Sequence, residues 1–293
     1  MSFDPQITFS FADVNGVRLH YAKAGSGEHL VVLLHGFPEC WYSWRHQLVA
    51  LSNQYTVVAP DLRGYNLSDK PDGASEYRVE KLVEEVAGLI RHLRHEKAAL
   101  IGHDWGAAIT WAFALARPDM LWAAGALQVP PTPVWRRNQT FAQFCASWYM
   151  FFFQLPWLPE FLMRRGNFAL LARAMQTTTA RSDVITDEDV DVYRESWRRP
   201  GTLTAMVNYY RANVLTRMFG KASPPKKVTV PTLFIYGEKD MAVLPPTVAN
   251  VASFVDAPFT EHRIQNSGHW VQQEAADEVT GVIRRFLNTI RPG

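Results

Sequence analysis

Cysteine is scarce in this 293-residue sequence, which contains only Cys40 and Cys145. Two thiols so far apart in the chain suggest neither a disulfide framework nor the closely spaced ligands of a zinc site. A reducing compartment is the simpler interpretation, so we expect a cytoplasmic protein. The sequence also lacks a cluster of His, Asp and Glu at metal-ligand spacing, so it predicts neither a metal nor a cofactor.

Excess charge and long apolar runs are absent as well. The formal net charge is +2, which gives no electrostatic reason to expect nucleic acid as a partner. The first residues contain no basic segment followed by a long apolar one, so no signal peptide is expected. The most apolar stretch, residues 148–163, is interrupted by prolines, a glutamine and a glutamate. We therefore expect no membrane-spanning helix there.

What the sequence does contain is a series of short apolar runs that alternate with helical patterns. Strands are predicted for residues 30–34, 55–60, 98–101, 121–127, 231–237 and 260–264. Residues 7–22 predict a hairpin that turns at Asn15-Gly16. The alternation predicts an α/β fold in which helices flank a mostly parallel central sheet.

The alternation stops at the proline-rich segment 130–133, and from there to about residue 223 the sequence predicts helices only. One of these helices has an apolar stripe on which Tyr210 lies and from which Tyr209 is excluded. The other stripe residues are Leu203, Met206, Val207 and Val214. We therefore expect an inserted all-helical cap at residues 130–223, and an α/β-hydrolase core formed by residues 1–129 and 224–293.

The sequence around Asp104 has the pattern of a nucleophile elbow. Gly102 and Gly106 lie two residues on either side of Asp104, between a predicted strand and a predicted helix. This is the G-x-S-x-G arrangement with a carboxylate in place of the serine. An ordinary strand–helix connection, in which Asp104 is only the N-cap of the helix, is the alternative.

Two further residues complete a triad in the chain order of α/β hydrolases, namely nucleophile, acid and histidine. Asp240 follows the strand at 231–237, and His269 follows the strand at 260–264. The segment just after the preceding predicted strand, Gln128-Val129-Pro130, contains no carboxylate, and this favours Asp240. A helix-capping role for Asp240 and a surface location for His269 are the alternatives.

An aspartate nucleophile implies a particular chemistry. Its carboxylate is ionised at neutral pH, since its ordinary pKa is about 3.9, so Asp104 can attack an sp³ carbon without a base and form an alkyl ester. Hydrolysis of that ester does need a base. His269 is the candidate that would activate a water, and Asp240 would orient and stabilise its ring.

The sequence resembles the epoxide hydrolases of the α/β-hydrolase superfamily, in the branch that uses an aspartate nucleophile. Four motifs carry the resemblance: His35-Gly36-Phe37-Pro38, Gly102-His103-Asp104-Trp105-Gly106, Gly237-Glu238-Lys239-Asp240 and Gly268-His269-Trp270. The resemblance implies an oxyanion hole made by the backbone N–H groups of Phe37 and Trp105, and a cis peptide bond before Pro38. We interpret His35 and His103 as structural.

The sequence departs from this family in one loop. The family pattern Asp-x-Arg-Gly-x-Gly-x-Ser is matched by residues 61–68, but Asn66 replaces the second glycine. Asparagine tolerates the left-handed backbone conformation better than most residues, so we expect the turn to persist.

The leaving group separates epoxide hydrolases from haloalkane dehalogenases, which are relatives that also use aspartate. An epoxide oxygen leaves as a basic alkoxide and needs a donor, and in epoxide hydrolases two cap tyrosines supply it. Tyr210 matches the family pattern Tyr-Arg-x-Asn, and Tyr149 resembles the first cap tyrosine, four residues before a Phe-Gln pair. Tyr193 is interpreted as a packing residue. Phe37 stands where dehalogenases often have an asparagine that holds the halide.

These observations predict an epoxide hydrolase that converts a small apolar epoxide and water into a vicinal diol. A haloalkane dehalogenase is the first alternative, and a non-catalytic ligand-binding protein of the same fold is the second. The sequence leaves the oligomeric state open, with a homodimer as one expectation.

Overall fold

The structure is a computed structural model that describes residues 4–219 and 226–292, and an eight-stranded sheet forms its centre. The strands are β1 (Thr8–Val14), β2 (Val17–Ala24), β3 (Leu30–Leu34), β4 (Thr56–Pro60), β5 (Ala98–His103), β6 (Leu121–Leu127), β7 (Thr232–Gly237) and β8 (Phe259–Ile264). Strands β3 to β7 are buried along their whole length, because helices cover both faces of a parallel sheet.

The strands lie in the order β1-β2-β4-β3-β5-β6-β7-β8. Strands β1 and β2 form the predicted hairpin around Asn15-Gly16, and β2 is antiparallel to β4. All pairs from β4 to β8 are parallel. The mostly parallel sheet is thus confirmed, and the carboxyl ends of its parallel strands meet at one edge, where ligands bind in open α/β sheets.

In the described residues, five α-helices belong to the parts of the chain that form the sheet: α1 (Arg45–Leu51), α2 (Val79–His92), α3 (Trp105–Ala116), α10 (Val271–Glu274) and α11 (Ala276–Ile290). Helices α2 and α11 bury one face and expose the other. Helix α3 is apolar nearly all round, as a helix packed beneath a sheet requires.

Within residues 130–219, the chain forms helices and no strand. These helices are α4 (Thr132–Arg137), α5 (Phe141–Ala146), α6 (Trp148–Phe152), α7 (Leu158–Thr177), α8 (Asp187–Trp197) and α9 (Thr202–Phe219). We call this segment the helical insertion. Its predicted end at residue 223 lies outside the described residues.

Helix α9 is buried on more than the predicted stripe. All the stripe residues are buried, as expected, but Tyr209 is fully buried too, although the periodicity excluded it. Its hydroxyl donates a hydrogen bond to the carbonyl of Arg63, at 2.7 Å, and its ring packs against Tyr65 and Tyr77. Tyr209 is buried although it lies off the stripe, because α9 contacts the loop after β4 as well as its neighbours in the insertion.

The loop that departs from the family pattern keeps its turn. Asn66 has a φ of 40°, a left-handed conformation, as expected from its position. Its side chain adds two contacts that glycine lacks: the amide donates to Asp61 at 2.9 Å, and the carbonyl accepts from Arg199 at 3.0 Å. Asn66 therefore joins this loop to the end of α8.

Cys40 is buried, Cys145 is exposed, and both are free thiols. Over residues 4–219 and 226–292, no helix is both long and apolar enough to cross a membrane.

Candidate active site

Asp104 occupies a sharp turn between β5 and α3. Its backbone has φ 51° and ψ −114°, a conformation that non-glycine residues rarely adopt. The turn is so tight that a Cβ atom on Gly102 would lie 2.1 Å from the backbone of Gly106. Asp104 holds the N-cap position of α3, but its side chain makes no capping hydrogen bond, so the simple N-cap interpretation is wrong.

The two carboxylate oxygens of Asp104 have different surroundings. Oδ1 accepts a hydrogen bond of 2.8 Å from the backbone N–H of Phe37. Oδ2 lies 3.9 Å from Nε2 of His269, which is beyond hydrogen-bond distance. One oxygen is therefore held by a backbone donor, while the other faces the imidazole.

The loop after β3 brings that donor close to the carboxylate. The Phe37-Pro38 peptide bond is cis, as the resemblance implied. A Cβ atom on Gly36 would lie 2.6 Å from Oδ1 of Asp104, so this close approach requires glycine. Trp105 is the first residue of α3, and the N–H groups of a first helical turn point out of the helix end, towards the side where Asp104 lies.

His269 and Asp240 form a buried pair beside Asp104. Nδ1 of His269 lies 2.8 Å from Oδ2 of Asp240. The other oxygen of Asp240 accepts from the backbone N–H groups of Ala242 and Val243, at 2.7 and 2.9 Å. Asp240 therefore orients the imidazole and is itself held by its own loop.

Burial alone would lower the pKa of His269. The charge of Asp240 and its hydrogen bond, together with the charge of Asp104, outweigh burial and raise this pKa to about 9. The imidazole is accordingly a cation at neutral pH in the resting site.

Tyr149 on α6 and Tyr210 on α9 line the same cavity as Asp104 and Trp105. The rest of its lining is mostly apolar and includes Ala108, Val129, Trp135, Met150, Val214 and Val243. The two tyrosine rings meet edge to face, with centroids 5.9 Å apart, and the ring of Tyr210 also meets that of Trp105 at 5.2 Å. Burial, followed by the charge of Asp104, raises the pKa of both phenols, so both remain protonated.

The family model of the alpha/beta hydrolase fold matches residues 29–276. The AB hydrolase superfamily protein YfhM of Bacillus subtilis is 38% identical, over 94% of this chain and 96% of its own length. Epoxide hydrolase A of Mycobacterium tuberculosis is 33% identical, over 96% of this chain and 97% of its own.

A solved structure agrees with these relatives. The epoxide hydrolase of Bacillus megaterium, in complex with an inhibitor, superposes with a TM-score of 0.87 and is 33% identical, covering 95% of this chain and 100% of that one. This chain belongs to the epoxide hydrolase family. The expected α/β-hydrolase fold is confirmed with it, and relatives that bear the family name are hydrolases acting on ether bonds.

Two histidines that the sequence analysis assigned to structure are fully buried in this family member. His35 accepts from the N–H of Leu62 through Nε2 and donates to the carbonyl of Gly36 through Nδ1, and burial lowers its pKa. Nε2 of His103 lies 2.8 Å from the carbonyl oxygen of His269. His103 thus contacts the backbone of the proposed base, while its side chain stays out of the cavity.

The sequence analysis missed two buried polar residues near the triad. Glu39 accepts from the N–H of Gly36, contacts Nδ1 of His103, and accepts from two glutamines of α10, Gln272 and Gln273. Burial alone would raise the pKa of Glu39, but the contact with His103 lowers it. Glu39 directly follows the first family motif, and a charged residue there was the available signal.

The second missed residue is Gln128, which the sequence analysis used only as evidence that no carboxylate follows β6. Its side chain donates to Oδ2 of Asp240, at 2.7 Å.

As for metals, no group of three or more His, Cys, Asp and Glu side chains in the described part of the chain could hold an ion.

Proposed function

We propose that this chain hydrolyses an apolar epoxide to a vicinal diol through a covalent ester on Asp104. The observation that carries the proposal is one cavity lined by a strained aspartate and two protonated tyrosines. The histidine–aspartate pair lies behind that aspartate. The family relationship supports it, because relatives over nearly the whole chain are named epoxide hydrolases.

In the first step, Oδ2 of Asp104 attacks a ring carbon of the epoxide. The new bond is the carbon–oxygen bond of an ester, and the bond that breaks joins the same carbon to the epoxide oxygen. Tyr149 and Tyr210 donate hydrogen bonds to the leaving oxygen, which takes a proton from one of them. That tyrosine then regains the proton that the His269 imidazolium releases once Asp104 has lost its charge. The raised pKa values of both phenols keep these donors in place until negative charge develops on the leaving oxygen.

In the second step, His269 removes a proton from a water that attacks the carbonyl carbon of the ester. The oxyanion formed on Oδ1 is stabilised by the N–H of Phe37, which already donates to this oxygen, and by the N–H of Trp105. Collapse breaks the bond between that carbon and the product oxygen, which takes the proton from His269. The diol leaves, and the carboxylic acid formed on Asp104 passes its remaining proton to His269, which restores the carboxylate and the imidazolium of the resting site.

The charges of Asp104 and His269 are consistent with alkylation as the first step and ester hydrolysis as the second. In the resting site, the charge of Asp104 is one of the causes of the raised pKa of His269. Esterification removes that charge, while burial continues to favour the neutral ring. The pKa of His269 therefore falls when Asp104 is alkylated, and the imidazole becomes a base at the step that needs one.

The proposed division into domains follows the cavity. The core, residues 1–129 and 224–293, supplies the nucleophile and the histidine–aspartate pair, and the cap, residues 130–223, supplies both tyrosines. The lining is apolar apart from Thr132, the nucleophile and the two phenols, which favours an apolar substrate.

The dehalogenase alternative is weaker on this geometry. A halide leaves as a stable anion and needs no proton, so a dehalogenase would not require two phenols as proton donors beside the nucleophile. Phe37, moreover, offers no side-chain donor to a halide, and its ring packs against that of Tyr210 at 5.4 Å.

A two-product assay tests the reaction. The purified protein is offered styrene oxide and a set of bromoalkanes in parallel, and diol and bromide are quantified. Diol without bromide is the expected result. Bromide without diol would establish the dehalogenase alternative, and neither product, with binding of both compounds, would favour the ligand-binding alternative.

A trapping experiment tests the covalent step. His269→Gln is mixed briefly with styrene oxide, denatured, and analysed by mass spectrometry. One added epoxide mass on the peptide that contains Asp104 is expected, because the ester forms but is not hydrolysed. His262→Gln is the control: this histidine lies on β8 and contacts Glu278, so it should accumulate no ester. An unmodified His269→Gln, beside a wild type that turns over, would rule out the covalent mechanism.

A further inference from the structure

Gln128 lies at the carboxyl end of β6 and is fully buried. Its backbone has a φ of 67°, in the left-handed region that favours glycine. A residue with a long side chain keeps this conformation only where its surroundings determine it strongly. The contacts of its amide show what those surroundings are.

The side-chain amide of Gln128 makes three hydrogen bonds, each to a different segment. Nε2 donates to Oδ2 of Asp240 at 2.7 Å and to the carbonyl oxygen of Gly268 at 2.9 Å. Oε1 accepts from the N–H of Gly237 at 2.6 Å. Both donor hydrogens are used, so the end of β7, the loop that carries the acid, and the residue before His269 are all attached to one side chain.

The orientation of this amide is determined by its partners. A carboxylate and a carbonyl only accept, and a backbone N–H only donates, so the nitrogen must face Asp240 and the oxygen must face Gly237. Oδ2 of Asp240 thus receives two donors, Gln128 and His269, while Oδ1 receives two backbone N–H groups. With four donors, the carboxylate is held in one orientation.

We propose that Gln128 is a positioning residue, which fixes Asp240 and the carbonyl beside His269 so that the imidazole faces Asp104. This role rests on the proposed function, since the base is needed only to hydrolyse the ester. Gln128 does not line the cavity of Asp104, Tyr149 and Tyr210. Its loss should therefore slow the hydrolysis of the ester and leave alkylation unchanged.

A second buried glutamine provides a matched control. Gln143 on α5 holds the same acid loop through the backbone of Ala242 and Leu244 and through the hydroxyl of Thr247. Within the described residues, none of the side-chain hydrogen bonds of Gln143 involves the carboxylate of Asp240. If Gln128 only stabilises the loop, the two glutamines should behave alike on substitution.

The test compares Gln128→Asn and Gln128→Leu with Gln143→Asn. Asparagine tolerates the left-handed backbone conformation, but its side chain is one methylene shorter, so its amide lies farther from the three partners. Gln128→Asn therefore tests the role of the amide even if Gln128→Leu does not fold. Single-turnover measurements with styrene oxide should give alkylation within about twofold of the wild type in both Gln128 variants. Ester hydrolysis should fall about 10- to 100-fold, the factor expected for a buried hydrogen bond to a charged group. Gln143→Asn should change neither rate by more than about threefold.

A second readout needs no epoxide. The Nδ1 proton of His269 is donated to a carboxylate and should give a resolved downfield proton resonance, assigned by its loss in Asp240→Asn. This resonance should shift or broaden in both Gln128 variants and remain in Gln143→Asn. Folded Gln128 variants with the wild-type resonance and wild-type hydrolysis would overturn the proposal. A wild type that forms neither ester nor diol would refute the proposed function, while the resonance would still decide the role of Gln128.

Discussion

The two halves of the candidate site are held by different kinds of contact. The base side, which comprises Asp240, His269 and Gln128, is fixed by hydrogen bonds to buried polar groups and backbone. The tyrosine side, which comprises Tyr149 and Tyr210, is held mainly by aromatic rings. The rings of Phe37, Trp105 and Phe153 surround that of Tyr210, with centroids 5.4, 5.2 and 4.9 Å away.

The difference corresponds to what each half does in the proposed mechanism. A base must keep one tautomer and one orientation, which requires directional bonds at its far nitrogen. A phenol that serves as a donor must keep its hydroxyl directed to the substrate, and edge-to-face packing can position its ring without using that hydroxyl. The comparison predicts that the two halves affect different steps of the reaction.

The largest expected effect is on the tyrosine side. Tyr149→Phe combined with Tyr210→Phe should slow alkylation by at least about 10³-fold, because the leaving alkoxide then has neither donor. Each single variant should lose less. The measurement is ester formation in a single turnover, made in the His269→Gln background so that the ester accumulates.

Tyr209→Phe is the control for that experiment. Its hydroxyl donates to Arg63 and does not line the cavity, so alkylation should stay within about threefold of the wild type. Loss of this buried hydrogen bond should lower the free energy of unfolding by about 1 kcal/mol. Unchanged alkylation in the Tyr149→Phe, Tyr210→Phe variant would remove both tyrosines from the mechanism.

The next largest effect is on the base side. Asp240→Asn keeps an oxygen for the two backbone N–H groups of its loop but cannot stabilise the imidazolium. Ester hydrolysis should fall about 10²-fold or more while alkylation is nearly unchanged, so a burst of ester followed by slow diol release is expected. Equal losses in both steps would contradict the division into two halves.

The ends of the strands explain why most of the base side could be predicted from the sequence. Asp104 and Asp240 each follow a buried strand, and His269 follows the partly exposed strand β8. Parallel strands bring such positions together at one edge. Gln128 follows a strand in the same way, but a glutamine has no reactivity that would mark it. Its importance depends on three partners that are distant in the chain, and no local pattern contains them.

The helical insertion was less predictable, because its helices bury several faces at once. Thr186 and Asp189 form a capping box at the start of α8, with both of its hydrogen bonds present, and such a cap depends only on neighbours in sequence. The burial of Tyr209 was not predicted, since it depends on contact with the loop after β4. Tyr149 could be proposed only from the family resemblance, because the residues around it are apolar all round.

The pH dependence of the two steps sharpens the comparison further. In the resting site, the pKa of His269 is raised to about 9, partly by the charge of Asp104. The ester has lost that charge, so ester hydrolysis should rise about tenfold per pH unit up to an apparent pKa clearly below 9. Single-turnover hydrolysis across pH gives that value, and an NMR titration of the free enzyme gives the resting one. A kinetic pKa equal to or above the resting one would contradict the charge argument.

The smallest effect is on stability, and it too separates the halves. The folded pKa of His269, about 9, lies above the unfolded value of about 6.5. Protonation therefore stabilises the folded state fully below about pH 6.5, and this contribution is lost as pH rises through about 9.

The free energy of unfolding of the wild type relative to His269→Gln should decline by about 2 to 3 kcal/mol over that range. The free energy of unfolding of the wild type relative to the Tyr149→Phe, Tyr210→Phe variant should show no such decline, because burial and the charge of Asp104 keep both phenols neutral there. Parallel stability curves for the wild type and His269→Gln would mean that the two carboxylates do not hold the imidazole as a cation.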